Sequence, residues 1–146
     1  MKSLLNKRIP LAHLPTPIDY YPKMSKYFGI ELFVKRDDLT ESIASGNKIR
    51  KIEYVLYEAE KQGADTLVTW GGLQSNHCRA VAWTSAKMGF RCTLILRNDH
   101  KNDPYSNDLQ GNLLIDYLLG AKVHIFSHEK FNNIDVLKNS ICSHLI

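Results

Sequence analysis

Lys48, in the run Ser45-Gly46-Asn47-Lys48, and the run Gln74-Ser75-Asn76-His77 are the parts of this sequence best suited to chemistry. The lysine opens a helical pattern that starts at Asn47. Ile52, Val55 and Ala59 form an apolar stripe in that pattern, and Lys48 lies in line with them. A lysine with a purely structural role sits better near a helix C-terminus, where the macrodipole favours a cation. An amine on the apolar side of a helix start suits attack on a carbonyl to form a Schiff base. A lysine snorkelling from a half-buried first turn fits the same periodicity, so position alone leaves both readings open.

The second run follows Gly71 and Gly72, which read as a glycine loop between a strand and the next helix. Ligands of open parallel sheets sit beyond the carboxyl ends of the strands, where such loops lie. First-turn N–H groups and the helix dipole there favour a carboxylate or phosphate. Ser75 serves equally well as a simple N-cap, and the two roles are compatible. A Schiff-base amine together with a loop for an acidic small molecule describes pyridoxal phosphate chemistry. Gly71-Gly72-Leu73-Gln74-Ser75 lacks the spacing of a dinucleotide fingerprint and the Lys of a phosphate-binding P-loop. The G-x-S-x-G turn of a serine hydrolase is also missing.

The elements that must position these residues recur in order. Leu11 to Asp19, with Pro15 and Pro17, reads as extended and irregular. A short helix over Tyr21–Phe28 ends at Gly29, and Ile30–Lys35 reads as a strand. Helices near Asn47–Gln62, Ser75–Met88 and Asp108–Leu119 each stop at a glycine: Gly63, Gly89 and Gly120. Strands over Thr66–Thr69, Cys92–Leu96 and Lys122–Phe126 follow them, giving βαβ units and a parallel sheet. Asn98–Asn107, with Pro104, reads as a loop. Ile134, Leu137, Ile141 and Leu145 fall at helical spacing up to the end of the chain.

Composition narrows the classes. With 146 residues, 44% hydrophobic and 23% charged, the chain fits one domain or part of a larger globular protein. No apolar run is long enough to span a membrane, and no secretion signal precedes the fold, so a cytoplasmic location is expected. The net charge of +4 is scattered, apart from Lys48, Arg50 and Lys51. That cluster suits one small anion and is too short for a nucleic-acid face. Cys78, Cys92 and Cys142 lack metal-site spacing and read as reduced thiols, so no metal is expected.

Leu14-Pro15-Thr16-Pro17, Val34-Lys35-Arg36-Asp37-Asp38-Leu39, the run from Ser45 to Lys51 and the run from Gly71 to Arg79 resemble one family. It is the ACC deaminase / D-cysteine desulfhydrase family, of the tryptophan-synthase-β-like, fold-type II class of pyridoxal phosphate enzymes. Gln110-Gly111-Asn112-Leu113-Leu114 and Leu118-Leu119-Gly120-Ala121 are similar as well, and the resemblance runs from about Leu11 to Val123.

The resemblance implies that Lys48 holds pyridoxal 5'-phosphate and later returns as the base that moves the substrate proton. It implies that Asn76 contacts the cofactor's ring oxygen and that Ser75 faces the substrate as a catalytic group. Backbone N–H groups around Ser75, Asn76 and His77 would bind the substrate carboxylate. Ser45 stands where some relatives carry a second glycine.

The implied fold is α/β, a three-layer open parallel sheet of the tryptophan-synthase-β type, truncated. Residues 1–51 would belong to the large cofactor domain and 52–146 to most of a small α/β domain. The implied function is a lyase or deaminase releasing ammonia and a 2-keto acid from a small amino acid such as D-cysteine or 1-aminocyclopropane-1-carboxylate. A full-length relative would be roughly twice as long, a homodimer, and would carry a later phosphate-binding loop and a partner for the pyridine nitrogen. The alternative is an inactive truncated fragment, or half of a split enzyme.

Overall fold

A computed structural model describes residues 7–98 and 109–133. The loop expected up to Asn107, the helical pattern from Ile134 to Leu145, and Cys142 lie outside the described residues, apart from Asn98. The chain divides into two compact units, Met1–Gly63 and Ala64–Ile146. The division expected after Lys51 falls inside a continuous helix, so that helix belongs whole to the first unit.

In the first unit, β1 (Ile18–Tyr20) pairs antiparallel with β2 (Phe33–Lys35) around helix α1 (Pro22–Phe28). The stretch read as irregular up to Asp19 is therefore partly a strand, closed by the Tyr20 and Phe33 rings at 5.1 Å. α1 ends at Gly29, whose φ of 67° is open to glycine at little steric cost.

Helix α2 (Lys48–Lys61) buries Ile49, Ile52, Glu53 and Leu56. This corrects the expected stripe: Val55 is 62% exposed. The reason is Glu53, a charge that periodicity assigns to solvent. It is fully buried because it accepts hydrogen bonds from Leu11 N (2.6 Å), Ala12 N (2.7 Å) and Arg8 Nη1 (2.6 Å). A buried charge is tolerated when its lone pairs are used in this way. The carboxylate ties the segment around residues 8–12 to α2, and Ile9 N adds a bond to the Glu53 carbonyl.

In the second unit, β3 (Thr66–Gly72), β4 (Arg91–Asn98) and β5 (Lys122–Ser127) form a parallel sheet in the order β3-β4-β5. The register runs from Thr66↔Arg91 to Gly72↔Arg97, and from Thr93↔Lys122 to Asn98↔Ser127. Central β4 is buried from Cys92 to Leu96, as a strand covered on both faces requires. Helix α3 (Asn76–Met88) packs on β3 and β4, and α4 (Gly111–Leu118) packs on α3 and β5. A one-turn helix α5 (His128–Phe131), not anticipated from the sequence, follows β5. The parallel α/β arrangement expected from the sequence is present.

Glu53→Ala leaves the Leu11 and Ala12 amides without acceptors, at a cost of about 2 kcal/mol or more. Hydrogen exchange at those two amides should accelerate while the β3–β5 amides keep their protection. Unchanged exchange at Leu11 and Ala12 would contradict the anchoring role.

Candidate active site

Lys48 is presented by a loop that grips itself. Asp37 accepts a bidentate pair from Arg50, Nε to Oδ2 at 2.9 Å and Nη2 to Oδ1 at 2.7 Å, and a third bond from Thr16 Oγ1 at 3.1 Å. The Arg50 bonds hold the Asp37 carboxyl below its usual range. The Asp37 carbonyl accepts from Gly46 N (2.8 Å) and Thr40 Oγ1 (2.9 Å), and the Thr40 hydroxyl in turn accepts from Gly46 N (3.0 Å). Gly46 turns the chain with φ at 102°, a value side chains rarely adopt. Asn47 then starts α2, and fully buried Ile49 fixes the rotation of its first turn. Lys48 emerges half-buried at the edge of the buried stripe and not in line with it. Its amine makes no hydrogen bond or ion pair among the described residues.

Ser75, Asn76 and His77 belong to the second unit and are brought together at the start of α3. The expected glycine loop is shorter than it reads, because Gly71 and Gly72 pair with Leu96 and Arg97 inside β3. Gly71 is there for proximity: a Cβ would lie 2.7 Å from Ser75 Oγ and 2.9 Å from Cys78 Sγ. Leu73 N donates to Arg97 O at 3.2 Å, which holds the turn at the carboxyl edge of the sheet. Ser75 is the N-cap, with Oγ accepting from Cys78 N at 3.2 Å. Asn76 is exposed, while Ser75 and His77 are half-buried.

A second helix start meets this one. The Gln74 side chain donates from Nε2 to Gln110 O (3.1 Å) and accepts at Oε1 from Asn112 N (2.8 Å). Asn112 Nδ2 donates to Gln74 O (2.8 Å) and Asn76 Oδ1 (2.9 Å), and Asn112 Oδ1 accepts from Arg79 Nη1 (2.8 Å). Sequence reasoning gave Arg79 and Asn112 no role and Gln74 only a place in the loop run, although Gln110-Gly111-Asn112 at the opening of an apolar helix marks a built helix start.

Asp116, on α4, was also missed. It is fully buried beside Cys78, Cys92 and Arg79, and neither carboxylate oxygen has a hydrogen-bond partner among the described residues. Burial pushes its carboxyl up to about 7, opposed by the Arg79 charge. Burial likewise raises the Cys78 thiol, and the Cys92 thiol to about 11, so both are inert at neutral pH. No group of metal-ligating side chains occurs among the described residues.

The second unit is thus a parallel α/β unit with two bonded helix starts at its carboxyl edge, and the first presents a lysine amine that is unpaired among the described residues. The family model described as "Pyridoxal-phosphate dependent enzyme" matches residues 9–140, and the chain belongs to that family.

A Thermotoga maritima protein is 49% identical over 128 residues, which cover 88% of this chain and 39% of the relative. The "Bifunctional D-cysteine desulfhydrase/1-aminocyclopropane-1-carboxylate deaminase, mitochondrial" of Arabidopsis thaliana is 43% identical over 97% of this chain and 36% of its own length. A crystal structure described as an "ACC deaminase homologue" superposes with a TM-score of 0.75 at 37% identity, over 85% of this chain and 37% of that one. The chain thus spans less than two fifths of the length of these relatives.

Taken unit by unit, the residues present fit the family's cofactor, pyridoxal 5'-phosphate: in the first, a primary amine with no partner among the described residues suits its aldehyde, and in the second, an exposed asparagine amide suits its ring oxygen. No described helix is long and apolar enough to cross a membrane.

Asp116 gives this site a pH signature. Its carboxyl binds a proton more tightly folded than unfolded, where the ordinary value is 3.8. Its contribution to stability therefore declines as pH rises from that value to about 7, then levels. Asp116→Asn removes the decline. Denaturant melts should show the variant's advantage growing between about pH 4 and about pH 7 and constant above. An advantage that is the same at every pH would contradict the burial of the charge.

Proposed function

We propose that this chain carries the cofactor lysine and the substrate loop of a pyridoxal-phosphate lyase or deaminase acting on a small amino acid. The observation that carries the reading is the Lys48 amine, delivered by a self-gripped loop and left without a partner among the described residues.

When bound, pyridoxal phosphate supplies a sink for the electrons left at the substrate carbon after proton loss. Lys48 would hold the cofactor covalently, then act as the base that takes and returns the substrate proton. Asn76 would bind the cofactor's ring oxygen through its amide. First-turn N–H groups at Asn76 and His77 would bind the substrate carboxylate, favoured by the positive end of the α3 dipole. Ser75 would face the substrate, its Oγ held in place by the cap bond from Cys78 N.

The relatives' names support D-cysteine or 1-aminocyclopropane-1-carboxylate as substrate, and ammonia with a 2-keto acid are the products we propose. A homodimer is the assembly we propose for the complete protein, and a reducing compartment such as the cytoplasm suits the free Cys78 and Cys92.

Titration with pyridoxal phosphate should produce the visible absorption of lysine-bound cofactor in the wild-type chain and in Lys51→Ala. Lys48→Ala should abolish it. Equal absorption in Lys48→Ala would overturn the assignment.

A further inference from the structure

The side chain of Asn76 has two chemically opposite ends, and the hydrogen bonds around Asn112 decide which one faces outward. A guanidinium can only donate, so the Asn112 atom 2.8 Å from Arg79 Nη1 is the oxygen. A backbone carbonyl can only accept, so the Asn112 atom 2.8 Å from Gln74 O is the nitrogen. The two constraints agree. Turning the Asn112 amide over would lose both bonds and set an NH2 group against a guanidinium.

With one Nδ2 hydrogen on Gln74 O, the other goes to Asn76 Oδ1 at 2.9 Å. The Asn76 oxygen is thereby engaged, and its Nδ2 donates no hydrogen bond among the described residues.

The backbone of Asn112 is equally fixed. Gln74 bridges Gln110 O and Asn112 N with the two ends of its own amide. Gly111 between them has φ at 56°, and a Cβ there would collide with Gln74 Oε1, so only glycine allows the bridge.

We propose that Asn112 is a positioning residue. Held by Arg79 and Gln74, it orients the Asn76 amide so that the loop presents an N–H donor and selects a hydrogen-bond acceptor on the pyridoxal ring. The inference rests on the reading of Asn76 as the residue that meets the cofactor's ring oxygen. It adds that the polarity of that contact is set by a residue on a different helix that need not touch the cofactor.

Binding of pyridoxal 5'-phosphate is compared with that of 3-deoxypyridoxal 5'-phosphate, which lacks the ring oxygen, by equilibrium dialysis on the full chain. The wild type should prefer pyridoxal phosphate by about tenfold or more, as expected for a hydrogen bond to an ionised acceptor. Asn112→Asp offers Asn76 only acceptor atoms, which draws its NH2 inward and turns its oxygen outward. That preference should vanish or invert, while binding of the deoxy analogue persists. Asn112→Ala should lose most of the preference.

If both Asn112 variants keep the preference and Asn76→Ala loses it, the positioning role is overturned and the Asn76 contact stands. If Asn76→Ala also keeps it, or the wild type shows none, the underlying contact is wrong. A second measurement needs neither a variant nor the cofactor. In the wild-type chain the Asn112 side-chain NH2 protons should be protected from solvent exchange and those of Asn76 should exchange freely. The reverse pattern would overturn the inference.

Discussion

In a parallel sheet, each strand that enters a helix leaves that helix's amino end near the strand's carboxyl end. The first-turn N–H groups there have no carbonyl to serve them. The second unit of this protein is organised by that constraint. Ser75 Oγ takes one α3 donor, and the Gln74 amide takes one from α4. The Asn112 side chain then bonds the two helix starts together. Gly71 and Gly111 are what this arrangement requires, since a side chain at either would strike Ser75 or Gln74. The edge that results is polar and cross-linked by side-chain hydrogen bonds, a character that suits a site for an acidic small molecule.

The first unit solves a different problem, that of presenting a lysine amine that has no partner among the described residues. Two buried or half-buried carboxylates do it. Glu53 secures the preceding chain to α2, and Asp37, through Arg50 and Thr16, secures the loop that leads into it. Both acids are consumed by structural bonds, so neither neutralises Lys48. Each unit is thus internally braced, in a chain that spans less than two fifths of the length of its relatives.

Much of this was legible in the sequence because it is written in local stereochemistry. Gly29, Gly63, Gly89 and Gly120 mark helix ends through their positive φ, and all four adopt it. Ser75 was readable as a cap from its position before an amphipathic run. The misreadings share one cause, polar or small residues whose role is set by partners distant in sequence. Glu53 shifts the buried stripe of α2 because its partners are Arg8, Leu11 and Ala12, more than forty residues away. Gly71 and Gly72 look like a loop until Leu96 and Arg97 pair with them. Asn112 and Asp116 gain meaning only when α4 is set against α3. Asp116 carried a signal all the same, as an acid one turn from Leu113 on the buried side of a short helix.

The central claim is that Lys48 is the residue that holds the cofactor. Borohydride reduction of the chain in the presence of pyridoxal phosphate, followed by peptide mapping, tests it most directly. A single pyridoxyl adduct on Lys48, with Lys51 and the exposed lysines unlabelled, is the predicted result. Labelling spread over surface lysines, with Lys48 unmodified, would contradict it.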